Sequence, residues 1–259
     1  ISTQDISQCK LMIHPNSGYD NFSADFVKKA PFPIVIGNPI RSHAVANFIL
    51  CALFSHYGPL PIHKVWDKQR SWPRKLLSEL SVLILGDGHI TSLLEGSLRH
   101  LVSQLSIYDP YSNESEKKTL PDLKTIDVLI PACSLNERNT HLINYEWLMS
   151  MKEDFLLINA ARGQLVNTQD LISVLKNKEK AHAILDVFED EPADFSLFNE
   201  LSNIQLSSHI AGVYAEIDQV SANYSATVIF DFQNLSESAF NQKYQSTLLI
   251  NRLQGHFLI

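Results

Sequence analysis

Glycine is scarce in this sequence: 9 of 259 residues, about half the usual share of ~7%. That shortage excludes a collagen-like, low-complexity or glycine-linker chain. It also makes each remaining glycine informative, as a site of positive φ or close backbone approach. Long apolar runs are missing too. The longest, such as Phe155-Leu-Leu-Ile158, have strand length and fall far short of the ~20 residues of a membrane span. Basic charge is in deficit, with 21 Lys and Arg against 28 Asp and Glu for a net −7. This disfavours nucleic acid and anionic membranes as main partners, since both require a basic face. Cysteine is limited to Cys9, Cys51 and Cys133, an odd number without a CxxC pair. Free thiols of that kind suit a reducing compartment and imply a cytoplasmic protein. The ten histidines include no HxxxH or HxH spacing, so no metal site is expected. No secretory signal is present, and Ile1 in place of Met implies residues ahead of it.

What remains is 45% hydrophobic and 19% charged, enough for one large or two modest domains. Short apolar runs alternate with helix-like segments. Lys10–Ile13 and Phe32–Ile36 read as strands, and Ser42–Tyr57 as a helix, with Val45, Phe48, Ile49, Ala52 and Leu53 on one stripe. Gly58, Pro59 and Pro61 end it, and a polar, Trp-containing arm from His63 to Arg74 follows. From Ser81 the alternation is regular. Strands are expected at 81–85, 105–108, 127–130, 155–159, 182–186 and 204–207, with a helix near 92–103 and another capped by Asn167. Continuous apolar strands separated by helices imply a parallel sheet covered on both faces, a doubly wound α/β fold. The segment after Asp218 reads as helical and then irregular.

The first strand of that series runs into Gly86-Asp87-Gly88-His89-Ile90-Thr91. Gly86 permits a tight turn and Gly88 lets a pyrophosphate approach the backbone at a helix N-terminus. Thr91 stands where a third glycine is usual, so helix and strand must pack differently there. Asp109 ends the next strand, where a carboxylate accepts hydrogen bonds from ribose hydroxyls and repels a 2′-phosphate. The pattern therefore reads as an NAD site, against the plainer alternative of a structural turn and a solvated aspartate. Three further segments fall at strand C-terminal ends: Asn159-Ala160-Ala161-Arg162-Gly163, Asp186-Val-Phe-Glu189-Asp190-Glu191-Pro192 and Ser208-His209-Ile-Ala-Gly212. An arginine can hold a carboxylate bidentately, and a glutamate beside a histidine orients it for proton transfer. Taken singly, Arg162 could be a surface residue, Asp186 a helix cap and His209 a satisfied polar group.

In sequence order these motifs resemble the D-isomer-specific 2-hydroxyacid dehydrogenases. Leu157-Ile-Asn-Ala-Ala-Arg-Gly-Gln-Leu-Val166, Leu185-Asp-Val-Phe-Glu-Asp-Glu-Pro192 and Ser208–Gly212 carry the resemblance, the last with Ser for the usual Pro. Asp127–Leu135, Thr140–Ile143, Lys10–Asn21 and His43–Phe48 support it, so it spans roughly residues 8–235. The resemblance implies a Rossmann domain at 42–213 and a flavodoxin-like substrate domain, N-terminally incomplete, at 1–41 and 214–259. It implies that Arg162 binds the substrate carboxylate and carbonyl oxygen, that Glu191 pairs with His209, and that His209 is the acid/base. Asp186 is expected near the nicotinamide, Ala132, Cys133 and Ser134 at the adenosine side, and Ala160 and Ala161 at the nicotinamide side. Gly86, Gly88, His89, Ile90, Asp109, Arg162, His209 and Gly212 complete the implied NAD site, and Ser17 and Gly18 the implied substrate site. The implied reaction is hydride transfer between NAD(H) and a small 2-hydroxy or 2-oxo acid. The alternative is a catalytically weak NAD(H)-binding sensor or interaction protein on the same fold. The arm with Trp66 and Trp72 matches the region relatives use to form a homodimer.

Overall fold

The structure, a computed structural model, describes residues 8–16, 18, 22–72 and 74–252. Six strands form one all-parallel sheet: β3 (Ser81–Leu85), β4 (Gln104–Tyr108), β5 (Val128–Pro131), β6 (Leu156–Asn159), β7 (His182–Leu185) and β8 (Ile204–Leu206). Their spatial order is β4-β3-β5-β6-β7-β8. Strand order reverses between β3 and β5, the place where open α/β sheets bind ligands beyond the strand C-termini.

Successive side chains of each strand enter opposite cores. Val82, Ile84, Val128, Ile130, Leu156 and Ile158 pack with Ala46, Ile49 and Leu53 of α2 (Asn38–Tyr57) and with Leu94 and Leu98 of α3 (His89–Leu98). Leu83, Leu85, Leu129, Leu157 and Leu185 face the other way, onto Leu148 of α4 (Tyr145–Ser150) and Leu171, Val174 and Leu175 of α5 (Thr168–Asn177). Burial on both faces explains why these strands read as unbroken apolar runs rather than alternating ones. Asn167 caps α5 by accepting the Asp170 N–H at 3.0 Å, as its spacing predicts.

A smaller parallel pair, β1 (Met12–His14) and β2 (Ile34–Ile36), lies apart from the large sheet. Ile34 and Ile36 pack with Val27 of α1 (Ala24–Lys29) and Leu249 of α8 (Leu249–Arg252). Val35 faces Val228 of α6 (Ile217–Asn234) and Phe240 of α7 (Glu237–Lys243). The chain beyond Asp218 is thus largely helical among the described residues. Residue 42, the expected domain boundary and helix start, falls inside the first turns of α2, which begins four residues earlier at Asn38. No helix among the described residues is long and apolar enough to cross a membrane.

Candidate functional site

The turn after β3 takes its shape from its glycines. Gly86 has φ +103°, and a Cβ there would stand 2.9 Å from Cys133 Cα, so this position admits glycine alone without strain. Gly88 begins α3 with no side-chain cap, and nothing lies within 4 Å of where its Cβ would be. A helix N-terminus with an open approach at its cap is the arrangement that takes a phosphate. Thr91 supplies the missing third glycine's function in another way. It is fully buried, and its Oγ1 donates to the Gly86 carbonyl at 2.7 Å.

Asp109 departs from expectation. Its carboxylate is buried behind the turn rather than on a cavity wall, accepting the N–H groups of Asp87 at 3.0 Å and Tyr111 at 2.9 Å. Asp87 is in turn held by Ser112 Oγ at 2.9 Å and Lys117 Nζ at 3.1 Å. Asp109 therefore holds the glycine turn in place through one N–H on each carboxylate oxygen.

At the histidine loop, Asp186 is the anchor. It is fully buried and accepts from Ser207 Oγ (2.6 Å) and from the N–H groups of Ile210 (2.9 Å) and Ala211 (2.8 Å). Its own carbonyl accepts the His209 N–H at 2.7 Å. His209 sits at φ +53°, a conformation that the bonds around it enforce. Its Nδ1 lies 2.7 Å from Glu191 Oε2, while Glu191 Oε1 accepts the Phe188 N–H at 3.0 Å. The carboxylate thus fixes the ring and leaves Nε2 for other chemistry. Half of the His209 side chain remains exposed.

Arg162 follows β6, and its Nη1 donates to the Ala161 carbonyl at 2.7 Å. The next residue, Gly163, is pressed against the glutamate loop so tightly that a Cβ would stand 1.8 Å from the Phe188 carbonyl carbon. A second imidazole–carboxylate pair braces this junction: His141 Nε2 lies 2.7 Å from Glu189 Oε2, and Glu189 Oε1 accepts the Thr168 N–H at 2.6 Å. Burial raises the Glu189 carboxyl, but the Thr168 bonds and His141 outweigh it and hold the group below the ordinary glutamate value.

All three motifs and the glycine turn open on one cavity of about 680 Å³, within the usual range for cofactor and substrate clefts. Gly18, Gly88, His89, Ile90, Ala132, Cys133, Ser134, Ala160, Ala161, Arg162, Asp186, Glu191, His209 and Gly212 line it. Gly86 and Asp109 do not, and Ser17 lies outside the described residues. Burial pushes the Cys133 thiol up to about 12, so it acts as a wall and not as a nucleophile. The wall also includes Asn38 and Arg41, which no motif indicated. One signal was available: a basic residue placed in the first turn of a helix lacking any acid there.

The model of the D-isomer specific 2-hydroxyacid dehydrogenase, NAD binding domain, matches residues 61–211. A 2-ketogluconate reductase of Gluconobacter oxydans is 27% identical over 217 residues, covering 80% of this chain and 70% of that protein. A (S)-sulfolactate dehydrogenase of Chromohalobacter salexigens is 27% identical over 218 residues, covering 78% of this chain and 70% of that one. Among solved structures, D-lactate dehydrogenase of Aquifex aeolicus with NAD and lactic acid superposes with a TM-score of 0.73 at 20% identity, covering 93% of this chain and 80% of that chain. That likeness is one of fold. The chain belongs to the D-isomer specific 2-hydroxyacid dehydrogenase family and carries its NAD-binding domain. It is thereby an NAD-dependent oxidoreductase acting on CH–OH donors, and the uncapped N-terminus of α3 with the open side of Gly88 fits the cofactor's pyrophosphate.

Proposed function

We propose that the protein interconverts a small D-2-hydroxy acid and its 2-oxo acid, with His209 as the acid/base. The observation that carries this reading is the 2.7 Å contact between Glu191 Oε2 and His209 Nδ1 on the same cavity wall as Arg162. When bound, NAD supplies the acceptor or donor of the hydride. Gly88, His89, Ile90, Ala132 and Ser134 would hold its phosphate and adenosine portions, and Ala160, Ala161 and Asp186 its nicotinamide end. Arg162 would grip the substrate carboxylate and polarise the carbonyl oxygen. Glu191 keeps Nδ1 engaged, so the proton passes at Nε2: given to the oxo oxygen on reduction, taken from the hydroxyl on oxidation. Gly18, which lines the cavity, would help hold the substrate carboxylate from the side of the smaller lobe, as would the backbone at Ser17.

NADH oxidation measured with glyoxylate, hydroxypyruvate, pyruvate, 2-oxoglutarate and phosphohydroxypyruvate tests the reading. Turnover with at least one is expected; measurable NADH binding with turnover of none refutes it in favour of a sensor. The protein is further proposed to work in the cytoplasm, which its unpaired thiols suit, and as a homodimer. The arm and the residues leading into it support the latter, since Leu60, Ile62, Val65 and Trp66 are each at least 80% exposed. Sedimentation as a monomer at micromolar concentration would reject the dimer.

A further inference from the structure

The N-terminus of α2 carries an electrostatic imbalance. A helix of 20 residues presents a partial positive charge there, which acids offset and bases aggravate. Gly37 caps it without a side-chain bond, the first turn contains no acid, and Arg41 adds a full positive charge. Arg41 Nη1 donates to the Gly212 carbonyl at 3.0 Å. Its Nε is buried without a hydrogen-bond partner, and among the described residues it forms no ion pair. Asn38, one turn earlier, is nine-tenths buried, and its Oδ1 is also without a partner. Amide oxygen and nitrogen exchange by a simple flip, so this side chain can present a donor instead. Both residues face the cavity that holds Arg162 and His209. Buried polar groups are normally satisfied, yet among the described residues none of the cavity's carboxylates, Asp186, Glu189, Asp190 and Glu191, bonds to either. Asp186 already accepts three donors, Glu191 is taken by His209 and Phe188, and Glu189 by His141 and Thr168.

We propose that Arg41 and Asn38, at the start of α2, form a second anion subsite, so that the substrate is a 2-oxo or 2-hydroxy acid bearing a second anionic group at its far end. The class comprises distal carboxylates, sulfonates and phosphates, and the inference rests on the reading of Arg162 and His209 given above. A dianionic substrate would be held at both ends: its reacting carboxylate on Arg162 and its distal group on Arg41. The cofactor's pyrophosphate is the other anion within the cleft, but its place is the start of α3 at Gly88. Arg41 instead touches Gly212, in the loop that carries His209.

Matched substrates test this: hydroxypyruvate against phosphohydroxypyruvate, and 2-oxopentanoate against 2-oxoglutarate, each with wild type, Arg41→Met and Arg41→Lys. Wild type should prefer the dianionic member by about 10–100-fold in kcat/KM, the range of one charge-assisted contact. Arg41→Met should erase most of that ratio and Arg41→Lys retain part of it, with NADH affinity unmoved. An unchanged ratio in Arg41→Met, or no preference in wild type, overturns the subsite. Weakened NADH binding with equal loss for both members assigns Arg41 to the pyrophosphate and likewise overturns it. Calorimetric titration of the NADH complex with 2-phosphoglycolate separates the two levels of inference. Arg41-dependent binding without turnover of any oxo acid upholds the subsite and refutes the reaction, whereas absence of both binding and turnover refutes both.

Discussion

The two rims of the six-stranded sheet treat polar groups in opposite ways. At the N-terminal rim the buried charges Asp127 and Lys178 are both answered. Asp127, almost fully buried, accepts from Lys75 Nζ at 2.6 Å, Lys152 Nζ at 2.8 Å and the Ser81 N–H at 2.8 Å. Burial raises its carboxyl, yet those bonds prevail and leave it below the usual aspartate value. Lys178, also buried, closes the C-terminal end of α4 by donating to the carbonyls of Met149 at 2.9 Å and Met151 at 2.8 Å. At the C-terminal rim the backbone is as firmly tied, through Asp186 and Gly163, but Arg41 Nε and Asn38 Oδ1, in residues that line the cavity, are buried without a partner, and Glu191 holds only one ring nitrogen of His209. One rim ties its buried charges into the fold, while the other ties its carboxylates and leaves two buried polar atoms without a partner.

Substitutions at the two rims should therefore separate activity from stability. The largest effect is expected at His209→Ala, which should lower kcat by about 10²–10⁴-fold while unfolding free energy changes by no more than ~0.5 kcal/mol. Equal loss of NADH affinity would break the contrast. Gly163→Ala should be the costliest substitution for the fold. A Cβ 1.8 Å from a backbone carbonyl carbon forces two loops apart, at about 3 kcal/mol or more in denaturant unfolding. It shows whether the active rim, for all its unmet groups, has a rigid frame.

Asp127→Asn leaves both lysines facing a neutral amide and should remove about 2–3 kcal/mol of stability at pH 7. Because the folded carboxyl lies below its unfolded value of 3.8, the wild-type advantage is complete above that pH. It disappears as pH falls through the lower folded value, so the two proteins' melting temperatures should converge in strong acid. The smallest effect concerns His56, at the far end of α2, whose ring lies 4.7 Å from that of His182. Burial first, and His182 second, hold it down at about 4, against 6.5 when unfolded. Its contribution is present above pH 6.5 and fades toward pH 4. Allowing for solvent screening, that limb should amount to about 1–2 kcal/mol, and His56→Gln should flatten it.

The large sheet was legible because parallel strands buried on both faces leave unbroken apolar runs, and Val82–Leu85 and Leu156–Ile158 show this in their alternation between two cores. Most of the cavity wall was legible because its groups sit at strand ends, in compact motifs around Arg162, Glu191 and His209. Two things were not. Asp109 occupies the expected position, but its carboxylate also accepts the N–H groups of Asp87 and Tyr111, contacts that spacing does not reveal. Asn38 and Arg41 precede the apolar stripe of α2, and periodicity locates the buried face of a helix rather than its polar tip. The expected start at Ser42 consequently stopped just short of them.

Cys133, tucked against the Gly86 turn and 7% exposed, gives the protein an internal chemical clock. Cys51 lies exposed on α2 and should react at once with a thiol reagent. Cys133 should react far more slowly, since burial keeps its thiol protonated and only a sliver of it reaches the cavity. A dinucleotide seated on the turn should lengthen the lag, which makes the second thiol's reaction time a gauge of occupancy that needs neither turnover nor a known substrate.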